Sequence, residues 1–317
     1  MARLGIITNY QAGRNRKRPE RIRALVRASG ATALDVTDLD SIRAATRQLA
    51  EEGVNILAIN GGDGTVHAVL TRLLRRDAPL PLIAVVPGGT TNLTANDLSR
   101  VKSPERALEN LARLASLPDE QISKVQRRLL AVTVGDSLPQ YGFFLGAGAV
   151  LRGMEHFRDN VGARGFRGEL AAGFSMVRGI AGIARGRQAW TDTHLADVRF
   201  GHDEIWHKDR MLVVATTMHR LLLGIKPWWS EKEGPVHLTA LRRKPDALLR
   251  LAPSLLRGQA HRLMTPEHGY RSGNVSCFDL RSTTGFALDG ELFPLATNEF
   301  ARVRATAAID FLDLGNR

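Results

Sequence analysis

Apolar residues in the first 125 positions follow two alternating rhythms. LGIIT (4–8), ATALDVT (31–37), NILAIN (55–60) and LPLIAVVP (80–87) are short runs of the strand type, the third apolar at nearly every position. Such a run suits a parallel strand covered on both faces. Between them the spacing predicts helices: 19–29, with Ile22, Leu25 and Val26 on one face; a segment capped by Asp40 or Ser41 and running to about Glu52, where Gly53 suits its end; 65–76; and 91–98. A helix over 103–116 closes the series. Strand–helix alternation of this kind predicts a doubly wound α/β domain over 1–125.

Beyond residue 125 the rhythm changes. Strand-like runs dominate at 127–134, 141–150, 194–200, 210–218, 236–241, 274–280 and 301–314, separated by turns and polar stretches. They predict an antiparallel β-sandwich or barrel-like domain over 126–317, with room for the last segment to pack back on the first domain. Two stretches interrupt it: 164–188, rich in Gly and Arg with helical character, and 241–258.

Composition narrows the class. The 317 residues are 44% hydrophobic and 24% charged, as in folded chains. The 44 Lys and Arg against 32 Asp and Glu leave a net charge of +12, which suits an anionic partner or simply heavy Arg usage. Cys277 is the only cysteine, so an intrachain disulfide and a multi-cysteine zinc site are excluded, and a reducing compartment is expected. MARLGIITNY has too short an apolar run for a signal peptide, and no uncharged run approaches the ~20 residues that span a bilayer. The expectation is a cytoplasmic protein that meets a membrane, if at all, from its inner face.

NGGDGT (60–65) lies between the third strand and the helix after it. In open α/β sheets ligands bind at that carboxyl edge, and glycines there let backbone N–H groups approach a phosphate at a helix N-terminus. Asp63 would repel phosphate alone; a bridging metal ion or a proton-accepting role removes the conflict. A plain strand-to-helix turn would also use Gly and Asp. VVPGGTTNLTANDL (85–98) repeats the arrangement at the next strand, which favours one shared site. Neither loop is GxxxxGK[ST] or GxGxxG, and LGAGAV (145–150) lacks the third Gly of the latter, so it reads as a close-packed strand.

GGDGT followed by PGGTTN resembles the catalytic domain shared by diacylglycerol kinases, sphingosine and ceramide kinases and their bacterial relatives. TNYQAGRN after the first strand is similar to the family's Asn-Pro-x-x-Gly loop, with Tyr10 in place of proline, and GFALDGELF (285–293) resembles its Asp-Gly-Glu element. The resemblance implies ATP-dependent phosphorylation of a lipid hydroxyl with Mg2+. It places Asn9, Gly13 and Thr37 at the nucleotide, Gly61, Gly62, Asp63, Gly64, Thr65 and His67 along the phosphates, and Gly89, Thr90 and Asn92 in the completing wall. Glu291 corresponds to a general base; Asp63 is the other acidic candidate, as magnesium ligand or as base. GIKPWWSEKEGPVHLTAL (224–241) resembles a segment that usually reads Asp-Gly before a strand and holds a structural metal partly through carbonyls. Glu233 stands for that Asp here, flanked by Ser230 and Pro235, and its extra methylene displaces the oxygens.

RRKPDALLRLAPSLLRG (242–258) sets Leu248, Leu249, Leu255 and Leu256 among basic residues near Trp228 and Trp229. Such a segment can rest on an anionic membrane surface, or pack as a helix on the β domain with its arginines in water. Three readings remain open: a lipid kinase at a membrane surface, an NAD kinase sharing GGDGT, and a non-catalytic lipid or acidic-surface binder of the same fold. Nucleic acid is the least suited partner, because the basic residues are dispersed and no recognition motif is present. A homodimer is left open.

Overall fold

The computed structural model describes residues 3–76, 78–156, 195–202, 205–221, 224–297 and 299–315; the segment 164–188 lies outside them. Contacts divide the chain into two units, Met1–Arg127 with Ala308–Arg317, and Arg128–Ala307.

The first unit is a six-stranded sheet in the order β2-β1-β3-β4-β17-β5. Its strands are β1 (Leu4–Thr8), β2 (Thr32–Asp35), β3 (Ile56–Gly61), β4 (Leu82–Pro87), β5 (Lys124–Arg127) and β17 (Ile309–Leu312). β1 to β4 pair parallel, β17 joins β4 parallel, and β5 closes the edge antiparallel to β17. The helices are α1 (Pro19–Ala28), α2 (Leu39–Glu51), α3 (Asp63–Leu74), α4 (Leu93–Leu98) and α5 (Pro104–Leu114). Ile6, Ala58, Ala84 and Val86 pack with α1 and α5, while their strand neighbours Ile7, Leu57, Ile59 and Val85 are buried on the other face, where α2 meets α3. Burial on both faces explains why β3 and β4 read as unbroken apolar runs.

The second unit is an antiparallel sheet of eleven strands. Most lie on the path β15 (Glu291–Phe293), β14 (Phe286–Leu288), β8 (Phe144–Gly148), β10 (His207–Thr216), β9 (Ala196–Phe200), β13 (Cys277–Ser282), β16 (Ala301–Ala305), β6 (Leu130–Val134), β7 (Gln140–Gly142). β11 (Val236–Arg242) branches from β10 and carries β12 (Tyr270–Val275). Inward side chains from β6, β8 to β11, β13, β14 and β16 form one core, so the sheet curls around its own apolar face. Helix α6 is Ala149–His156, and α7 (Leu248–Arg257) seats Leu248, Leu251 and Leu255 on a separate apolar cluster with Met211, Leu241 and Tyr270.

Several elements differ from the pattern reading. The cap of α2 is Asp38, whose carboxylate accepts from Ser41 N (2.8 Å) while Ser41 Oγ accepts from Asp38 N (3.1 Å). α3 begins at Asp63, two residues earlier than its apolar spacing suggests. The run 141–150 turns into α6 at Ala149, and the runs 127–134, 274–280 and 301–314 each divide into two strands. Both halves of 301–314 alternate alike, so periodicity gives no sign that the chain leaves one sheet at Ala305 and enters the other at Ile309.

Candidate functional site

Parallel pairing brings the carboxyl ends of β1, β3 and β4 into line, with Thr8 opposite Asn60 and Gly61 opposite Pro87. Three loops therefore leave the sheet side by side. The first is fixed to its neighbours through the backbone: Asn9 N donates to Asn60 O (2.9 Å), and Arg14 N and Asn15 N both donate to Gly88 O (2.8 and 3.1 Å). Asn9 adds a side-chain bond from Nδ2 to Thr65 Oγ1 (3.2 Å) and accepts from Gln11 N (2.9 Å). These polar groups can be ordered here because each is satisfied by an adjacent loop.

Two glycines are required by close approach. A Cβ on Gly89 would lie 2.5 Å from Gly62 Cα, so the GGDG and PGG loops meet backbone to backbone. A Cβ on Gly13 would overlap Thr90 Oγ1, which brings the first loop against the same wall. Asn92 has φ 54° and closes the PGG loop on itself: its Oδ1 accepts from Gly89 N (2.7 Å) and its Nδ2 donates to Gly89 O (2.9 Å). No side chain caps α3, whose N-cap is Gly62, so its first turn presents backbone N–H groups and positive potential at this edge.

Asp63 sits in that first turn. Its Oδ1 accepts from Thr94 N (3.2 Å) at the start of α4, which fixes the carboxylate between the two loops. Mg2+ is commonly held by one or two carboxylates with phosphate oxygens completing the shell, and Asp63 meets that donor requirement. Thr65 and His67 are buried, at 9% and 6% exposure, inside α3. Thr37 lies at the same sheet edge after β2; its hydroxyl donates to Asp38 Oδ2 (2.9 Å). Asn9, Gly13, Gly61 to Thr65, Gly89, Thr90 and Asn92 are thus brought together.

The remaining candidates lie in the second unit. Glu291 is exposed and follows a two-residue turn joining β14 to β15, in which Asp289 (φ 48°) and Gly290 (φ 96°) both have positive φ, as a type I′ turn requires. Asp289 is structural: its carboxylate accepts from Phe143 N (3.0 Å) and Phe144 N (2.9 Å). Ser230, Glu233 and Pro235 lie on the loop before β11. There Asn274 of β12 donates from Nδ2 to Ser230 O (3.1 Å) and Lys232 O (2.7 Å). Glu233 is exposed. Both of these carbonyls are thus satisfied by a side-chain amide of the neighbouring strand.

Trp228 stacks on His237 with ring centroids 4.5 Å apart, and Trp229 packs against the α7 cluster. In α7 the outward Leu249 is 57% exposed, beside the exposed Arg250, with Arg257 exposed at the helix end.

Asn15, Asn60 and Thr94 escaped the sequence reading. Asn15 is wholly buried, and its Nδ2 donates to Asn9 O (2.9 Å) and Asn60 O (3.3 Å), tying the first loop to β3. Its position inside the basic run RNRKR hides that role. Asn60, a polar residue ending an apolar strand, carried the one available signal.

Residues 3–120 match the diacylglycerol kinase catalytic domain model. No curated protein matches the sequence. Among solved structures, a diacylglycerol kinase from Bacillus anthracis str. Sterne superposes with a TM-score of 0.61 at 13% identity, covering 95% of this chain and 93% of that one. Two further structures from that organism, provisionally assigned the same activity, give TM-scores of 0.67. One is 13% identical, covering 98% of this chain and 97% of the other; the second is 14% identical, covering 96% and 94%. At these identities the structures establish a shared fold. The glycine-loop edge lies inside the segment, residues 3–120, that matches the diacylglycerol kinase catalytic domain model.

Proposed function

We propose that the protein is an ATP-dependent lipid kinase that transfers the γ-phosphoryl group to a lipid hydroxyl of the diacylglycerol, sphingoid or ceramide type. The observation that carries this reading is the backbone contact between Gly62 and Gly89 beneath an uncapped α3, with Asp63 in its first turn. That arrangement gives phosphate a bed of N–H groups and gives a cation one fixed carboxylate.

Phosphoryl transfer asks the protein for positioning and charge stabilisation more than for covalent chemistry. Asn9, Gly13 and Thr37 hold the nucleotide; Gly61 to Thr65, Gly89 and Thr90 line its phosphates. When bound, Mg2+ neutralises charge on the phosphate oxygens, and Asp63 is its protein ligand. Glu291 takes the proton of the lipid hydroxyl as the oxygen bonds to the γ-phosphorus, the bond to the bridging oxygen breaks and ADP leaves. The lipid is met at an anionic membrane surface, on which the protein rests peripherally.

The test is incubation of purified protein with radiolabelled ATP, Mg2+ and a panel of diacylglycerol, sphingoid bases and ceramide, with NAD in a separate reaction. Label in one lipid class is expected. Label in NAD and in no lipid would overturn the reading in favour of the NAD kinase.

A further inference from the structure

The loop before β11 draws two carbonyl oxygens, of Ser230 and Lys232, onto a single point, as a loop around a small cation does. Here the point is the Nδ2 atom of Asn274. We propose that Asn274 is the pin of this loop, and that its amide nitrogen stands where a structural cation would otherwise stand, so the loop closes without metal.

Three features support the assignment. The amide carries two hydrogens, one for each carbonyl, and the separations of 3.1 and 2.7 Å are hydrogen-bond distances, longer than the ~2.1 Å of a Mg–O bond. His237 is the partner of the amide oxygen. Its Nδ1 lies 2.7 Å from Asn274 Oδ1, cross-strand from it on β11, and its ring is held by the stack on Trp228. In the Nδ1–H tautomer the ring donates to Oδ1, which leaves Nδ2 to donate to the two carbonyls. Rotating the amide would set three acceptor oxygens together with no donor of the protein between them. Finally, a Cβ at Gly234 would lie 2.5 Å from Asn274 C and 2.6 Å from its O, so the loop packs on the β12 backbone and the amide reaches its carbonyls directly.

The inference is independent of the kinase reading and is tested without substrate. Chelator-treated and Mg2+-supplemented protein are compared, both nucleotide-free, by thermal unfolding and by NMR of the Trp228 indole and the Asn274 side-chain amide. In the wild-type protein the two resonances are expected to stay in place on adding Mg2+, with the amide protons protected from exchange. Asn274→Ala should lower Tm equally with and without Mg2+. Asn274→Asp, of the same shape, converts the pin to a carboxylate facing two carbonyls, and should acquire a Mg2+-dependent rise in Tm that the wild type lacks. Shifts of the wild-type resonances on adding Mg2+ that Glu233→Gln removes would overturn the inference. So would an Asn274→Asp protein whose Tm ignores Mg2+.

Discussion

Two loop systems in this protein gather backbone groups around a point, with opposite chemistry. At the carboxyl edge of the parallel sheet, glycines bring the GGDG and PGG loops into contact, and α3 begins with no side-chain cap. Before β11, carbonyl oxygens are gathered instead, and Asn274 fills the space between them. The first arrangement presents donors outward and suits an anionic ligand; the second satisfies its acceptors from within. A gathering of backbone groups marks a binding site only where the fold has not already supplied the partner.

This contrast can be broken at either end. The largest effects are expected at the two carboxylates proposed for the chemistry: Asp63→Asn and Glu291→Gln should each lower turnover of lipid phosphorylation by about 10²-fold or more, with circular dichroism unchanged. Wild-type rates in either variant would remove that residue from its role. Gly89→Ala comes next, because its Cβ meets the Gly62 backbone rather than a flexible side chain. It should cost about 1–3 kcal/mol in denaturant unfolding and weaken ATP binding in calorimetry. At the closed loop, Asn274→Ala leaves two carbonyls without their donor and should cost about 1–2 kcal/mol while ATP affinity is retained. Equal loss of ATP binding there would mean that the two loop systems are coupled.

The smallest effect concerns pH. Burial holds the His237 imidazole below its ordinary value of 6.5. As pH falls through 6.5 the unfolded chain takes up the proton before the folded one, so stability declines with acidification; the share due to His237 is fully present above that pH and is lost as pH falls toward the depressed folded value. In His237→Asn the slope of Tm against pH below 6.5 should be shallower than in the wild type.

Much of the first unit was legible, because strands buried on both faces leave unbroken apolar runs and glycines mark where backbones approach. The α7 segment was ambiguous for a physical reason. Its leucines and arginines suit a membrane surface or a protein face equally, and only the burial of Leu248, Leu251 and Leu255 shows which side is occupied by the fold. Trp228 and Trp229 were likewise open until the stack on His237 and the α7 cluster accounted for them.

The sequence alone determined the parallel strand–helix alternation, the antiparallel character of the second half, and the two glycine loops with Asp63 between them. These follow from local periodicity and from residue types that only certain backbones accept. Tertiary structure decided what depends on distant partners. It set the return of Ile309–Leu312 to the first sheet, the burial of Asn15 beneath the PGG loop, and the hold of Asn274 on carbonyls 42 and 44 positions away. A hydrogen bond between residues so far apart leaves no trace in the spacing of either, because its geometry exists only once the strands carrying them have paired.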